Sequence, residues 1–150
     1  MNSILDIQEE IVSEFEILGD DKESTIFYIM ELGNNLDPFP EEERKEENVI
    51  KGCQSKVWLT AQFMEGKCHF SADSNTDITK GLISLLIRVY NRRSPEEILG
   101  NELTFLQRIG MGNILGSQRS NGLASMIQQM KRYALAFKTK QLSTHGNEGI

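Results

Sequence analysis

The sequence predicts an α+β fold in which a small antiparallel sheet packs against helices and a long helix comes last. Hydrophobic residues recur at helical spacing towards both ends of the chain, and they alternate with period two between Val57 and Ala72. The length of 150 residues suits one domain, and a chain of that size buries about two-thirds of the surface that it exposes when unfolded. We expect a single domain over residues 1–140 and a disordered tail over residues 141–150.

Two amphipathic helices are expected before residue 36. The first begins at the capping box Ser3-x-x-Asp6 and ends at Gly19, and the second is capped by Asp20-Asp21 and stops near Gly33. Their apolar stripes are Ile4, Ile7, Ile11, Phe15 and Leu18, then Ile26, Ile29 and Met30. The stretch "DPFPEEERKEEN" follows, and its prolines and charges favour a solvated loop with one helical turn over an electrostatic docking patch.

The central stretch predicts a β-hairpin. The alternation from Val57 to Met64 leads through the dipeptide "EG", a two-residue turn, into a second alternating run that includes Cys68, Phe70 and Ala72. The short stretch "NVIK" before Gly52 is a candidate for a further strand. In that case residues 52–55 would lie at or beside the tip of another hairpin, at one end of the sheet.

Helical spacing returns after "ADSNT". Ile78, Leu82, Leu85, Leu86 and Val89 share one face of a helix, and Gly81 permits close approach of a neighbour. The sequence "SPEE" predicts a capped helix start at Ser94, and a short helix ending at Gly110 follows. A long C-terminal helix is predicted to begin at Ser120 or Asn121, with Leu123, Met126, Ile127, Met130, Ala134 and Phe137 on its buried face.

Composition excludes several classes of protein. The net charge is −6, and an acidic chain gains nothing from counterion release, so nucleic acid is not an expected partner. The longest apolar run, "GLISLLI", is too short to span a bilayer. The N-terminus shows no secretory pattern, and we therefore expect a cytoplasmic protein that has no membrane partner. With two cysteines in such a chain, a disulfide framework is not expected.

Cys53 is the residue with the greatest chemical interest. It lies between Gly52 and the polar pair Gln54-Ser55, which indicates a thiol near solvent on a turn. Lys51 and Lys56, or the N–H groups of the turn, could favour the reactive thiolate. The residues alone leave a nucleophile and an idle, half-buried thiol equally open.

Other chemistries find less support. A zinc or cluster site needs three or four paired ligands, but Cys68 and His69 are neighbours on a strand and point to opposite faces. We expect no metal site, and a core role for Cys68. A cysteine hydrolase needs an activating base, and only His69 is available in the ordered region. Arg119, placed just before the predicted last helix, is favoured as solvated; a pair with Asp73 or with an acidic partner is the alternative.

Three stretches together resemble the SufE family of sulfur-acceptor proteins. They are "GCQSKVWL" (residues 52–59), "ADSNTDITKGLISLL" (residues 72–86) and "SQRSNGL" (residues 117–123), in the family's order and at its separations. The resemblance covers residues 4–138. One departure is visible, because the family often has Asp where this chain has Asn75. A role for charge at that position is therefore not expected here.

The resemblance implies a fold shared with IscU-type iron–sulfur scaffolds, with an active cysteine on a loop at the edge of the sheet. It implies that Cys53 accepts persulfide sulfur from a SufS-type cysteine desulfurase, stimulates that enzyme and passes the sulfur to an iron–sulfur scaffold complex. Gly52, Gln54 and Ser55 would shape the loop, and Asp73, Ser74 and Arg119 match family positions near it. No cofactor is expected, because pyridoxal phosphate belongs to the partner, and Cys68 matches no motif.

The expected role is that of a sulfur carrier and activator, as a monomer or homodimer, in place of a stand-alone enzyme. One cysteine suffices for transpersulfuration, which has the form of thiol–disulfide exchange. Two alternatives remain: an IscU-type scaffold or metal-binding protein, and a regulatory module that binds the desulfurase without accepting sulfur.

Overall fold

The computed structural model describes residues 3–52 and 55–148, with the side chains of residues 111–121 and 142–148 left out. The described part contains six α-helices and two strands: α1 (Ile4–Ile17), α2 (Lys22–Leu32), β1 (Val57–Met64), β2 (Lys67–Ser74), α3 (Asp77–Tyr90), α4 (Pro95–Gly100), α5 (Phe105–Arg108) and α6 (Met111–Glu148). Short 3-10 turns occupy Gly33–Asn35, Glu41–Glu43 and Glu46–Asn48. The predicted α+β fold, with a small antiparallel sheet and a long last helix, is confirmed.

Local capping sets the starts of the helices. Ser3 and Asp6 form the predicted reciprocal capping box, with both bonds 3.1 Å long. Asp21 caps α2, and Ser94 forms a second capping box with Glu97 at the start of α4. These bonds satisfy N–H groups that a helix start leaves without an internal partner.

The hairpin follows the predicted alternation. Glu65 and Gly66 have φ values of 55° and 77°, the pair of positive angles that a tight two-residue hairpin turn needs. The register pairs Val57 with Ser74 at the open end and Met64 with Lys67 at the turn. One face of the hairpin is buried in the core through Val57, Leu59, Cys68, Phe70 and Ala72.

The candidate third strand is reduced to a single bridge. Val49 forms one antiparallel bridge with Trp58, and the Ile50 N–H donates to the carbonyl oxygen of Val57 at 2.8 Å. A 3-10 turn ends at Asn48, and Gly52 has a φ of +90°. With a turn on either side, the stretch "NVIK" has no room for a longer ladder, and the sheet formed by the described residues has two strands.

Helices α2 and α3 meet at backbone contact. A Cβ added at Gly81 would come within 2.7 Å of the Cγ2 atom of Ile29 and closer still to its carbonyl oxygen. The prediction that Gly81 permits close approach is therefore confirmed. Helix α3 also packs on β2, so this contact fixes the position of the sheet relative to α2.

Helix α6 begins earlier than predicted. It starts at Met111, directly after Gly110, whose φ of +77° separates it from α5. The prediction of a start at Ser120 or Asn121 was wrong, because serine and asparagine also occur inside helices and were read as a cap. Met126, Met130 and Ala134 are buried as predicted. Across residues 3–52 and 55–148, no helix combines the length and apolar character needed to cross a membrane.

Candidate functional site

The predicted acceptor residue lies between two described anchor points. Cys53 and Gln54 are outside the described residues, so their predicted roles stay predictions. Before them, Gly52 has a φ of +90°, a conformation that side-chain-bearing residues rarely adopt. Gly52 also lies against α6, since a Cβ there would be 3.1 Å from the Oγ atom of Ser125. Both the backbone angle and the space therefore favour glycine before the cysteine.

After the cysteine, the chain is tied to the start of α3. The Oγ atom of Ser55 lies 3.1 Å from Oγ1 of Thr76 and accepts a hydrogen bond from Oγ1 of Thr79 at 3.2 Å. Thr76 in turn donates to Thr79 at 2.7 Å. These three hydroxyls, which we call the hydroxyl ring, hold the position two residues after Cys53. Sequence reasoning named Ser55 but missed both threonines.

Lys56 is held through its backbone by the end of β2 and the residue after it. The buried hydroxyl of Ser74, 3% exposed as a residue, donates to the carbonyl oxygen of Lys56 at 2.8 Å. Asn75 makes a reciprocal pair: its N–H donates to that same oxygen at 3.3 Å, and its Oδ1 accepts from the Lys56 N–H at 3.1 Å. Asn75 therefore holds the backbone of Lys56 through both its own N–H and its side-chain amide oxygen.

Asp73 is engaged in ion pairs with Arg44 and Lys80. Its Oδ2 lies 2.6 Å from Nη2 of Arg44, its Oδ1 lies 3.8 Å from Nζ of Lys80, and its side chain is 13% exposed. The hydrogen bond from Arg44 to Asp73 is the main reason why the pKa of Arg44 is raised above its ordinary value. The carboxylate of Asp73 therefore joins the segment before the hairpin to strand β2.

Arg44 is a further residue that sequence reasoning missed. Its guanidinium lies 4.9 Å from the ring centroid of Trp58 and 5.4 Å from that of Phe39, within the range of cation–π attraction. The charge-dense run was interpreted as a solvated surface, which did not single out this arginine. The residue types gave a partial indication, because a cation such as Arg44 can pack on the aromatic rings of Phe39 and Trp58.

Arg119 lies inside α6 in the structure. The prediction that it lies just before the last helix was therefore wrong. Its side chain is outside the described residues. Among the residues that are described, the cations beside Asp73 are Arg44 and Lys80.

Cys68 is a core residue, as predicted. It is 0% exposed, and burial is the main cause that raises the pKa of its thiol to about 11. Its backbone bonds with the Arg92–Arg93 segment at 2.8 Å in both directions. A buried neutral thiol is a poor nucleophile, so Cys68 has a structural role in the core.

A cavity of about 290 Å³ lies next to Gly52. Its walls come from the segment of residues 47–51 on one side and from α6 on the other, and they include Lys51, Ser125 and Arg132. No group of three or more histidine, cysteine or acidic side chains within the described ranges could hold a metal ion. The cavity thus has mixed polar walls that carry the cations Lys51 and Arg132 and the carboxylate of Glu47.

The fold and the site define a class: a small α+β domain in which Gly52 and Ser55, the described residues on either side of the Cys53–Gln54 pair, are both held by neighbouring elements. A family model described as "Fe-S metabolism associated domain", SufE, matches residues 9–134. The chain therefore belongs to the SufE family, and its role lies in iron–sulfur metabolism.

Relatives agree with this membership. The chain is 34% identical over 131 residues to an uncharacterised SufE-like protein of Rhizobium meliloti (strain 1021), covering 84% of this chain and 93% of the relative. It also resembles the solution structure of a hypothetical protein from Thermus thermophilus, with a TM-score of 0.70 and 20% identity. That likeness covers 87% of this chain and 96% of the other, and it shows the fold alone.

Proposed function

We propose that this protein accepts sulfur on Cys53 from the persulfide of a SufS-type cysteine desulfurase and delivers it for iron–sulfur cluster assembly. The observation that carries the proposal is the match of the family model, which spans the cysteine and both of its anchors. The anchors themselves support it, because Gly52 turns the chain before Cys53 and the hydroxyl ring holds Ser55 after it.

The transfer needs one thiolate and no resident cofactor. The Cys53 thiolate attacks the outer sulfur of the desulfurase persulfide, a new S–S bond forms on Cys53, and the S–S bond of the donor breaks. The electron pair leaves with the donor cysteine as its thiolate, so electrons balance without an external oxidant or reductant. Pyridoxal phosphate belongs to the desulfurase, which forms the donor persulfide.

Charge near the loop supports a reactive thiol. Lys51 and Lys56 flank the loop in the sequence, and Nζ of Lys56 lies 5.6 Å from the ring centroid of Trp58. Cationic neighbours favour the thiolate over the thiol, and the thiolate is the form that attacks. With the carboxylate of Asp73 paired to Arg44, that nearby negative charge is compensated.

The proposal extends to the partners. The protein would stimulate the desulfurase by removing its persulfide and would then donate the sulfur to a scaffold complex, working in the cytoplasm as a monomer or homodimer. A carrier with one accessible thiol suits this role. A second accessible thiol beside the persulfide would reduce the persulfide by forming a disulfide.

The test compares Cys53→Ser with Cys68→Ala, a matched cysteine variant in the core. We incubate each protein with desulfurase and cysteine and measure sulfur adducts by mass spectrometry, together with the turnover of the desulfurase. Wild type and Cys68→Ala are expected to gain adducts of roughly 32 Da, the mass of one sulfur atom, by the exchange chemistry above. Cys53→Ser is expected to keep its fold, gain no adduct and lose the stimulation.

Two outcomes would point elsewhere. Equal stimulation by wild type and Cys53→Ser, without an adduct, would leave a regulatory module. Stoichiometric zinc or iron that is bound by wild type and lost in Cys53→Ser would favour an IscU-type scaffold.

A further inference from the structure

We propose that Thr76 and Thr79 are positioning residues for sulfur transfer. The hydroxyl ring that they form with Ser55 holds the segment that directly follows Cys53. This inference rests on the proposed function. It adds two residues that neither the motif nor the family description singles out.

The ring has a closed pattern of donors and acceptors. Thr76 donates to Thr79 at 2.7 Å, Thr79 donates to Ser55 at 3.2 Å, and the 3.1 Å contact between Ser55 and Thr76 closes the circle when Ser55 is the donor. Each hydroxyl has one proton to donate, so the closed ring uses all three. Bonds in such a circle polarise one another in the same sense, which strengthens the set.

Thr76 does not use its hydroxyl to cap α3, and the hydroxyl is part of the ring instead. It is the N-cap residue of α3, with φ −126° and ψ 145°, yet its side chain makes no capping bond to the helix. A threonine at this position normally accepts from an N–H in the first turn. The hydroxyl is directed to Ser55 and Thr79 instead, so this helix start serves the loop.

The ring limits the movement of the chain that follows the cysteine. From Ser55, two residues of chain reach at most about 7 Å to Cys53, whereas from Lys56 three residues reach about 10 Å. Lys56 is held independently through Ser74 and Asn75, so it becomes the tether when Ser55 is released. Gly52, one residue before Cys53, still limits the reach from the other side, so release of Ser55 frees only the chain that follows the cysteine.

The expected influence is geometric. With its three protons engaged in the ring, the set has no donor left for a thiolate. Loss of the ring should therefore lower the maximal rate of transfer without shifting the pH dependence of Cys53 alkylation. Binding of the desulfurase should be unchanged as well. The three side chains are half-buried, and their hydroxyls bond to one another.

The experiment uses full-length Thr79→Val, with Thr79→Ser as the conservative variant that keeps a hydroxyl. Thr60→Val is the matched control: Thr60 lies on β1, and its hydroxyl has no hydrogen bond with any described residue. Persulfide transfer from a loaded SufS-type desulfurase is measured in single turnover as a function of concentration. The pH dependence of Cys53 alkylation and hydrogen exchange of the peptide spanning residues 51–58 are recorded alongside.

We expect Thr79→Val to lower the maximal transfer rate at unchanged half-saturation, with Thr79→Ser and Thr60→Val at wild-type rates. Exchange should accelerate in residues 51–58 only, and the alkylation profile should not shift. Thr76→Val should repeat the result if Thr79→Val folds poorly. Wild-type rates in both valine variants, or equal loss in Thr79→Ser, would overturn the inference. Sulfur acceptance that persists in Cys53→Ser would instead overturn the proposed function.

Discussion

Gly81→Ala tests the closest helix contact in the protein. An alanine Cβ at this position would lie 2.7 Å from the Cγ2 atom of Ile29 and 2.6 Å from its carbonyl carbon, with the carbonyl oxygen nearer still. Carbon atoms in good contact are separated by about 3.5–4.0 Å, so the helices must part by roughly 1 Å. Because the clash is with backbone, no change of rotamer relieves it.

The magnitude follows from two opposing effects. Overpacking of a core costs about 1–3 kcal/mol, and a backbone clash belongs at the upper end. Alanine returns about 1 kcal/mol of helix propensity relative to glycine. We therefore expect the free energy of unfolding to fall by about 2 kcal/mol, which lowers the melting temperature by roughly 4–8 °C for a chain of this size.

Urea unfolding monitored by far-UV circular dichroism measures this loss. The matched control is Gly100→Ala at the end of α4, where an added Cβ meets nothing within 4 Å. That variant should be as stable as wild type or slightly more stable. A Gly81→Ala protein that unfolds at the wild-type urea concentration would refute the close contact between α2 and α3.

Two further predictions concern titration. The carboxylate of Glu14 accepts from Arg88 at 3.0 Å and 2.5 Å and from the Tyr28 hydroxyl at 2.7 Å, and the bonds to Arg88 lower its pKa below 4.5. Its stabilising contribution is thus complete above pH 4.5 and is lost as the pH falls through the folded-state pKa. Glu14→Gln should lower the stability by about 1 kcal/mol at neutral pH and flatten the acid dependence, as followed by urea unfolding across the acid range. The buried thiol of Cys68, with its pKa raised to about 11, should resist alkylation by iodoacetamide at pH values well below 11. Native protein should therefore gain one adduct, on Cys53, as measured by mass spectrometry.

Each of these two predictions has a direct control. Glu42→Gln, at an exposed position, should leave the acid dependence intact, and an equal flattening in both variants would contradict the role of Glu14. Denatured protein should gain two adducts. A second adduct on the native protein at the same rate as the first would show that Cys68 is accessible.

Local patterns predicted most of the fold correctly. The capping boxes at Ser3 and Ser94 depend on bonds between residues three apart, and the hairpin depends on alternation around a two-residue turn. Such signals lie within a few residues of one another and can be read in sequence. The start of α6 was missed because a serine or asparagine is equally compatible with a helix interior, and only Gly110 marked the true boundary.

The candidate site was predictable only in part. Cys53, Gly52 and Ser55 came from a motif, and their neighbours at Asp73 and Ser74 came from resemblance to a family. Arg44 was overlooked because its partner Asp73 lies 29 positions away, across the hairpin. No pattern within a charged run marks which cation will find a carboxylate at that distance.

The sequence by itself determined the helices, apart from the start of α6, and the hairpin, because each depends on spacing within one or two turns of chain. It also singled out Cys53 as a candidate for the reactive thiol. Only the tertiary structure decided that Ser55 is held by Thr79 across 24 positions and that Gly81 presses on Ile29. Hydroxyl groups and glycines are chemically ordinary, and they acquire a specific task only when packing brings their partners within contact distance. The anchoring of the cysteine loop is therefore a property of the packed α3, β2 and β1 elements together.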